Sequence, residues 1–187
     1  MLSVIINFCA MGKPREPQPA KLFMSFIASE NDLFRQGVEE LYSTFGETDA
    51  VSERFAFDLT DYYTREMGKV LFRHFITFKR FIPIPNLPDI KQMTNRLEEK
   101  YAAPDGNRRI NIDPGYICLE HVILATTKGY THRPYLRDGI YADLTLIYRN
   151  KSFRPLEWTY PDYRQEGVIA LFNQFRKEYL EDLRGGP

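Results

Sequence analysis

Cysteine is scarce in this chain: Cys9 and Cys118 are the only two. A chain of 187 residues can bury a core without covalent staples, and two distant thiols match no metal-ligand spacing. A disulfide scaffold and a cysteine-built zinc centre therefore both drop out. Three histidines, His74, His121 and His132, are too few for a histidine-built zinc site. Net charge is also missing, because 25 basic side chains balance 25 acidic ones. A global field cannot draw in nucleic acid or a membrane surface, so only local patches can serve. No apolar run approaches membrane-spanning length. The opening MLSVIINFCA lacks the basic flank and small-residue cleavage site of a signal peptide. Glu16 stands where a myristoylation motif after Gly12 would need Ser or Thr. The chain holds no G-x-x-x-x-G-K-[ST] loop, no Asn-Lys-x-Asp and no G-x-S-x-G elbow, which excludes an ordinary P-loop and an elbow serine. These absences lead us to expect a cytoplasmic protein with no membrane partner.

What the chain has in quantity is aromatic surface: 14 Phe and 12 Tyr, within an apolar fraction of 43%. Each Tyr carries a polar tip that needs a partner or water. Residues 1–20 read as an N-terminal extension and a proline-spaced linker, KPREPQP, ahead of a single α+β domain over 21–185. Lys21–Ala28 has the length of a buried strand. Ser29 is expected to cap a helix whose apolar face runs through Leu33, Val38, Leu41 and Phe45, closed by Gly46. Phe55, Phe57 and Leu59 alternate as a half-buried strand, and Lys69–Phe81 as a longer one. Pro88 suits the first turn of a helix with Ile90, Met93, Leu97 and Tyr101 as its stripe, followed by a short strand at Arg109–Ile112. This order is that of a ferredoxin-like βαββαβ sandwich core. Residues 116–125 fit helix or strand. Asp113 as a cap with Pro114 behind it favours helix. A C-terminal hairpin, turning at Asn150-Lys151, and a helix capped by Asp162 with Gln165 complete the expected architecture.

Chemistry concentrates in Thr126–Arg137, a basic, hydroxyl-rich stretch without an acid. Lys128, Arg133 and Arg137 suit phosphate or carboxylate oxygens, and the hydroxyls of Thr126 and Thr127 can complete an anion shell. Tyr130 and Tyr135 can stack on a base, and His132 can move protons near neutrality. The competing reading is a solvated connection with ordinary turn chemistry. Asp58 and Asp61, at the end of a strand, are candidates for acid–base work or a hard cation. That leaves Mg2+ open as a cofactor, although no metal-ligand set is legible. Asp113 and Tyr116 are placed as further ligand-binding residues. The aromatic cluster at Trp158–Tyr163 reads as a lid over the core, His74 and His121 as core histidines, and Cys118 as an inert thiol.

In sequence order, MGKPREPQPAKLF, FAFDLTDYY with REMG, RRINIDPGYI, LATTKGYTHRPYL, GIYADLTLIY and WTYPDYR resemble a bacterial family known as domain of unknown function 4416, DUF4416. The resemblance runs from residue 11 to about 184 and implies no particular activity. The residues themselves lead us to expect binding, with or without turnover, of a phosphate-bearing small molecule or nucleotide. An RNA-binding module, with bases stacked on sheet aromatics, and a non-enzymatic protein-interaction domain are the alternatives.

Overall fold

A computed structural model describes residues 13–185. The expectations for residues 1–12 lie outside the described residues. The elements are β1 (Ala20–Ala28), α1 (Asn31–Phe45), β2 (Thr48–Val51), β3 (Phe55–Ala56), α2 (Thr64–Met67), β4 (Phe72–Ile82), α3 (Leu87–Lys100), β5 (Ile110–Ile117), β6 (His121–Thr126), β7 (Tyr135–Arg137), β8 (Ile140–Arg149), β9 (Ser152–Pro155) and α4 (Glu166–Gly185). The strands form one nine-stranded sheet with main order β2-β4-β1-β5-β6-β8-β7; β3 adds to β4 and β9 to β8. All its pairings are antiparallel. The chain is thus a mixed α/β protein built on a large antiparallel sheet. Among the described residues no helix is long and apolar enough to cross a membrane.

β1 is buried along its whole length because both faces of the sheet are covered. Met24 and Phe26 point to one face, where Leu33 and Leu41 of α1 and Leu87 and Ile90 of α3 pack on them. Phe23 points to the other, where it meets Phe75, Ile117 and the α4 residues Val168, Phe172 and Phe175. α4 covers only one end of that second face. Over the other end, the segment from Phe57 to Leu71 folds across as a small roof, with Phe57, Met67 and Leu71 packed on Ile27. Between roof and sheet lies an open space.

Several local expectations are corrected. Residues 116–125 are strand, not helix: β5 runs through Asp113-Pro114-Gly115, and β6 follows after a tight turn. Pro114 is tolerated in a central strand because its pairing with β6 begins only at Gly115. The missing N–H would point, like that of Ile112 two residues earlier, to the side away from β1, where no strand lies alongside. The first helix has Glu30, not Ser29, at its cap position, with no side-chain hydrogen bond. The strand expected over Glu53–Leu59 shrinks to Phe55–Ala56, since the chain leaves the sheet to build the roof. Asp162 and Gln165 form no capping box: a 3-10 turn occupies Pro161–Arg164, and Asp162 faces Arg73 instead. The hairpin turn does fall at Asn150-Lys151, both with positive φ (52° and 62°), as a two-residue turn demands.

Candidate functional site

The sheet opens where the site lies. β5 and β6 pair only over Gly115–Ile117 and Val122–Leu124, then diverge. On one side of the opening, Ile112 presents a backbone N–H and C=O with no strand beside them. α3 fills that gap with side chains: Glu98 Oε1 accepts the Ile112 N–H at 2.8 Å, and Lys91 Nζ donates to the Ile112 carbonyl at 3.1 Å. The buried face of α3 thus carries Lys91, Thr94 and Glu98 alongside Leu87 and Ile90. Buried backbone groups must find partners, and here two charged side chains stand in for a strand.

This fork opens into a cavity of about 660 Å³. Its roof is Phe57, Leu59, Tyr62 and Tyr63. Its floor is Arg73 of β4, Asn111 and Asp113 of β5, Leu124 and Thr126 of β6, and Asp143 of β8. Lys91, Asn95 and Glu98 enter from α3, Tyr160 and Asp162 from the 3-10 turn, and Thr127 and Lys128 from the loop after β6. The volume is that of a small-molecule site, and the mixture of aromatic wall and convergent polar groups is typical of one.

A continuous polar network runs beneath the roof. Lys91 Nζ donates to Asp113 Oδ1 at 3.0 Å, and Asn111 Nδ2 to Asp113 Oδ2 at 2.7 Å. Asn111 Oδ1 accepts from the Tyr63 hydroxyl at 3.1 Å and from Arg108 Nη1 at 3.2 Å. Arg108 Nε then donates to Glu66 Oε2 of α2 at 2.6 Å. Two carboxyl groups on this network are driven apart. Burial raises Asp113, but the charge and hydrogen bond of Lys91, helped by the Asn111 amide, leave it below the ordinary carboxylate value. Glu98 goes the other way. Its desolvation dominates, the Lys91 charge opposes it, Asp113 adds to it, and the result is a carboxyl pushed up to about 7.

At the mouth, Lys128 lies over the Tyr62 ring, 4.2 Å from its centroid, and donates to the Tyr62 hydroxyl. That hydrogen bond is the main reason the Tyr62 phenol sits below its ordinary value. Lys128 has no carboxylate partner among the described residues, whereas Arg73 faces Asp162, Lys91 pairs with Asp113 and Arg108 with Glu66. Arg133 holds the Lys128 loop in place: its Nη1 donates to the Lys128 carbonyl at 3.2 Å and its Nε to Asp143 Oδ2 at 2.7 Å.

The residues singled out in the sequence divide accordingly. Asp113, Thr126, Thr127 and Lys128 line the cavity. Arg133 and His132 stand behind Asp143; His132 stacks on Trp158 at 4.9 Å, its Nε2 3.7 Å from Asp143 Oδ2. Tyr130 and Tyr135 project into solvent, 68% and 59% exposed. Arg137 pairs with Asp89 and Asp138, away from the cavity. Tyr116 lies on the opposite face of the sheet, in the core beneath α3. Asp58 and Asp61 are exposed on the roof segment, outside the lining, and Asp61 meets the Thr64 hydroxyl at the start of α2. Among the described residues, no three His, Cys, Asp or Glu side chains are grouped to hold a metal ion. Sequence reasoning did not single out Lys91, Glu98, Arg73, Asn111 or Tyr63. One signal was present: charged residues at Lys91 and Glu98, four and eleven places after Leu87, fall on the same helical face as apolar residues.

No match to the chain was found among curated proteins or among solved structures. The family model described as a domain of unknown function, DUF4416, matches residues 18–179, most of the chain, and the protein belongs to that family.

Proposed function

We propose that the cleft between roof and sheet binds a phosphate-bearing small molecule of about nucleotide size. The observation that carries this reading is Lys128: it is the lining cation without a carboxylate partner among the described residues, and it stands beside the hydroxyls of Thr126 and Thr127 at the mouth. A phosphate there gains a charge-assisted contact without breaking an internal ion pair. The aromatic roof, Phe57, Tyr62 and Tyr63, offers stacking surface to the ligand's other end. The strand order β2-β4-β1-β5 supports reading the first half of the chain as a ferredoxin-like core, extended by β6, β7, β8, β9 and α4. A thermal-shift screen with nucleoside monophosphates and sugar phosphates tests the function. Binding at a hundred times Kd stabilises by about 2.7 kcal/mol, a shift of several degrees. Lys128→Met should abolish that shift. No stabilisation by any phosphate ester, at low or moderate salt, would refute the proposal.

A further inference from the structure

Beyond room for a ligand, the cleft holds a carboxyl group poised for proton exchange. Glu98 reaches from α3 into the fork between β5 and β6, its side chain 10% exposed. Oε1 is anchored by the Ile112 N–H, while Oε2 has no hydrogen-bond partner among the described residues. Lys91 Nζ stays 3.9 Å from Oε1, committed to the Ile112 carbonyl and Asp113. A glutamine would satisfy the Ile112 N–H equally well, so anchoring alone does not call for a carboxyl here.

We infer that Glu98 is the acid–base residue of this cleft, touching a bound phosphate ester and exchanging a proton with an oxygen or nitrogen of its non-phosphate end, with Lys91 as positioning residue. The inference rests on the function proposed above. In the step, an O–H or N–H bond of the ligand breaks, its electron pair stays on the ligand atom, and Oε2–H forms on Glu98. Reversal returns the proton, so no co-reactant is required. The charged groups around Glu98 are Lys91 on its own helix, Asp113 on β5, Arg108 before β5, and the Arg73–Asp162 pair across the cleft. Burial and Asp113 favour the neutral acid, Lys91 and Arg108 the anion, and the balance falls at about 7. A group titrating there can both accept and donate at neutral pH.

The test uses the full chain with AMP and ribose 5-phosphate as probes. NMR of 13C-labelled glutamate side chains should place the Glu98 midpoint near neutrality and move it upward when AMP binds. Calorimetry in buffers of differing ionisation enthalpy should show uptake of up to one proton per AMP between pH 7 and 8 in the wild type. Glu98→Gln should remove that uptake, apart from the phosphate's own. AMP affinity should fall on the order of tenfold more over that pH unit in the wild type than in E98Q. Lys91→Met should raise the Glu98 midpoint and shift the pH profile of binding with it, which loss of packing alone would not do. A Glu98 midpoint at the ordinary carboxylate value overturns the inference without any variant, as does binding with the same proton count in E98Q. If neither probe binds the wild type at any pH, the phosphate reading itself fails, and this inference with it.

Discussion

Glu98 and Asp113 show how one cluster sets two carboxyl groups to different tasks. Asp113 keeps its charge because Lys91 and Asn111 both donate to it. Glu98 receives only the Ile112 amide, with Lys91 beyond hydrogen-bond reach, and burial prevails. The consequence for stability has a definite sign. Between an ordinary value of 4.5 and about 7, the folded chain retains a proton that the unfolded chain has released. Glu98 therefore contributes a stability that is present at low pH and is lost as pH rises through this window. Glu98→Gln should flatten that slope and, at pH 8, make the protein more stable by up to about 3 kcal/mol. Urea unfolding of both proteins at pH 5 and pH 8 measures this, and parallel pH profiles would contradict it. Lys128 offers the converse case. It is exposed, so Lys128→Met should change stability by no more than about 0.5 kcal/mol while removing phosphate binding.

Among the elements, β5 decides where the cleft lies. Its C-terminal half is held tightly between β1 and β6, and its N-terminal half is released on the β6 side. Gly115 sits at the dividing point. A Cβ there would come within 2.4 Å of the Ile123 carbonyl oxygen and 2.5 Å of the Phe23 ring. The carbonyl is backbone and cannot rotate aside, so β6 would have to move. Gly115→Ala should therefore destabilise the protein by about 2–3 kcal/mol, measured by chemical denaturation. It should also weaken amide-exchange protection in β6 more than in β4. α3 complements this division: its polar side chains take over the backbone groups that β6 leaves unpaired.

For the whole molecule, the two faces of the sheet have different roles. One is sealed by α1 and α3 over an apolar core; the other is shared between α4 and the cleft. α4 is anchored far from the cleft by Lys21, whose amine is fully buried between Asp49 of β2 and Asp182 of α4. The Tyr179 hydroxyl donates to the Pro19 carbonyl at 2.6 Å nearby. Lys21→Ala leaves two carboxylates without their shared cation and should cost on the order of 3 kcal/mol in urea unfolding. The cleft lies at the opposite end of that face, so the loss should appear in stability while phosphate binding by the remaining folded protein is retained. A variant that folds as stably as its parent would show that water replaces the amine there.

Local sequence pattern carried the extended runs, the helix registers and the Asn150-Lys151 turn, because these follow from side-chain periodicity and backbone preference within a few residues. It also pointed to Thr126, Thr127 and Lys128, since a stretch of cations and hydroxyls without acids is visible in one dimension. The cap and proline signals at Asp113-Pro114 suggested a helix, but pairing with β1 outweighed them. Glu98 and Lys91 came to line the cavity only because the divergence of β5 from β6 left the Ile112 backbone unpaired. A vacancy of that kind is a relation between distant strands, and no local pattern encodes it. The same holds for Arg133 and His132, which face Asp143 and do not line the cavity: which charges stay free is settled by the partners that folding brings beside them.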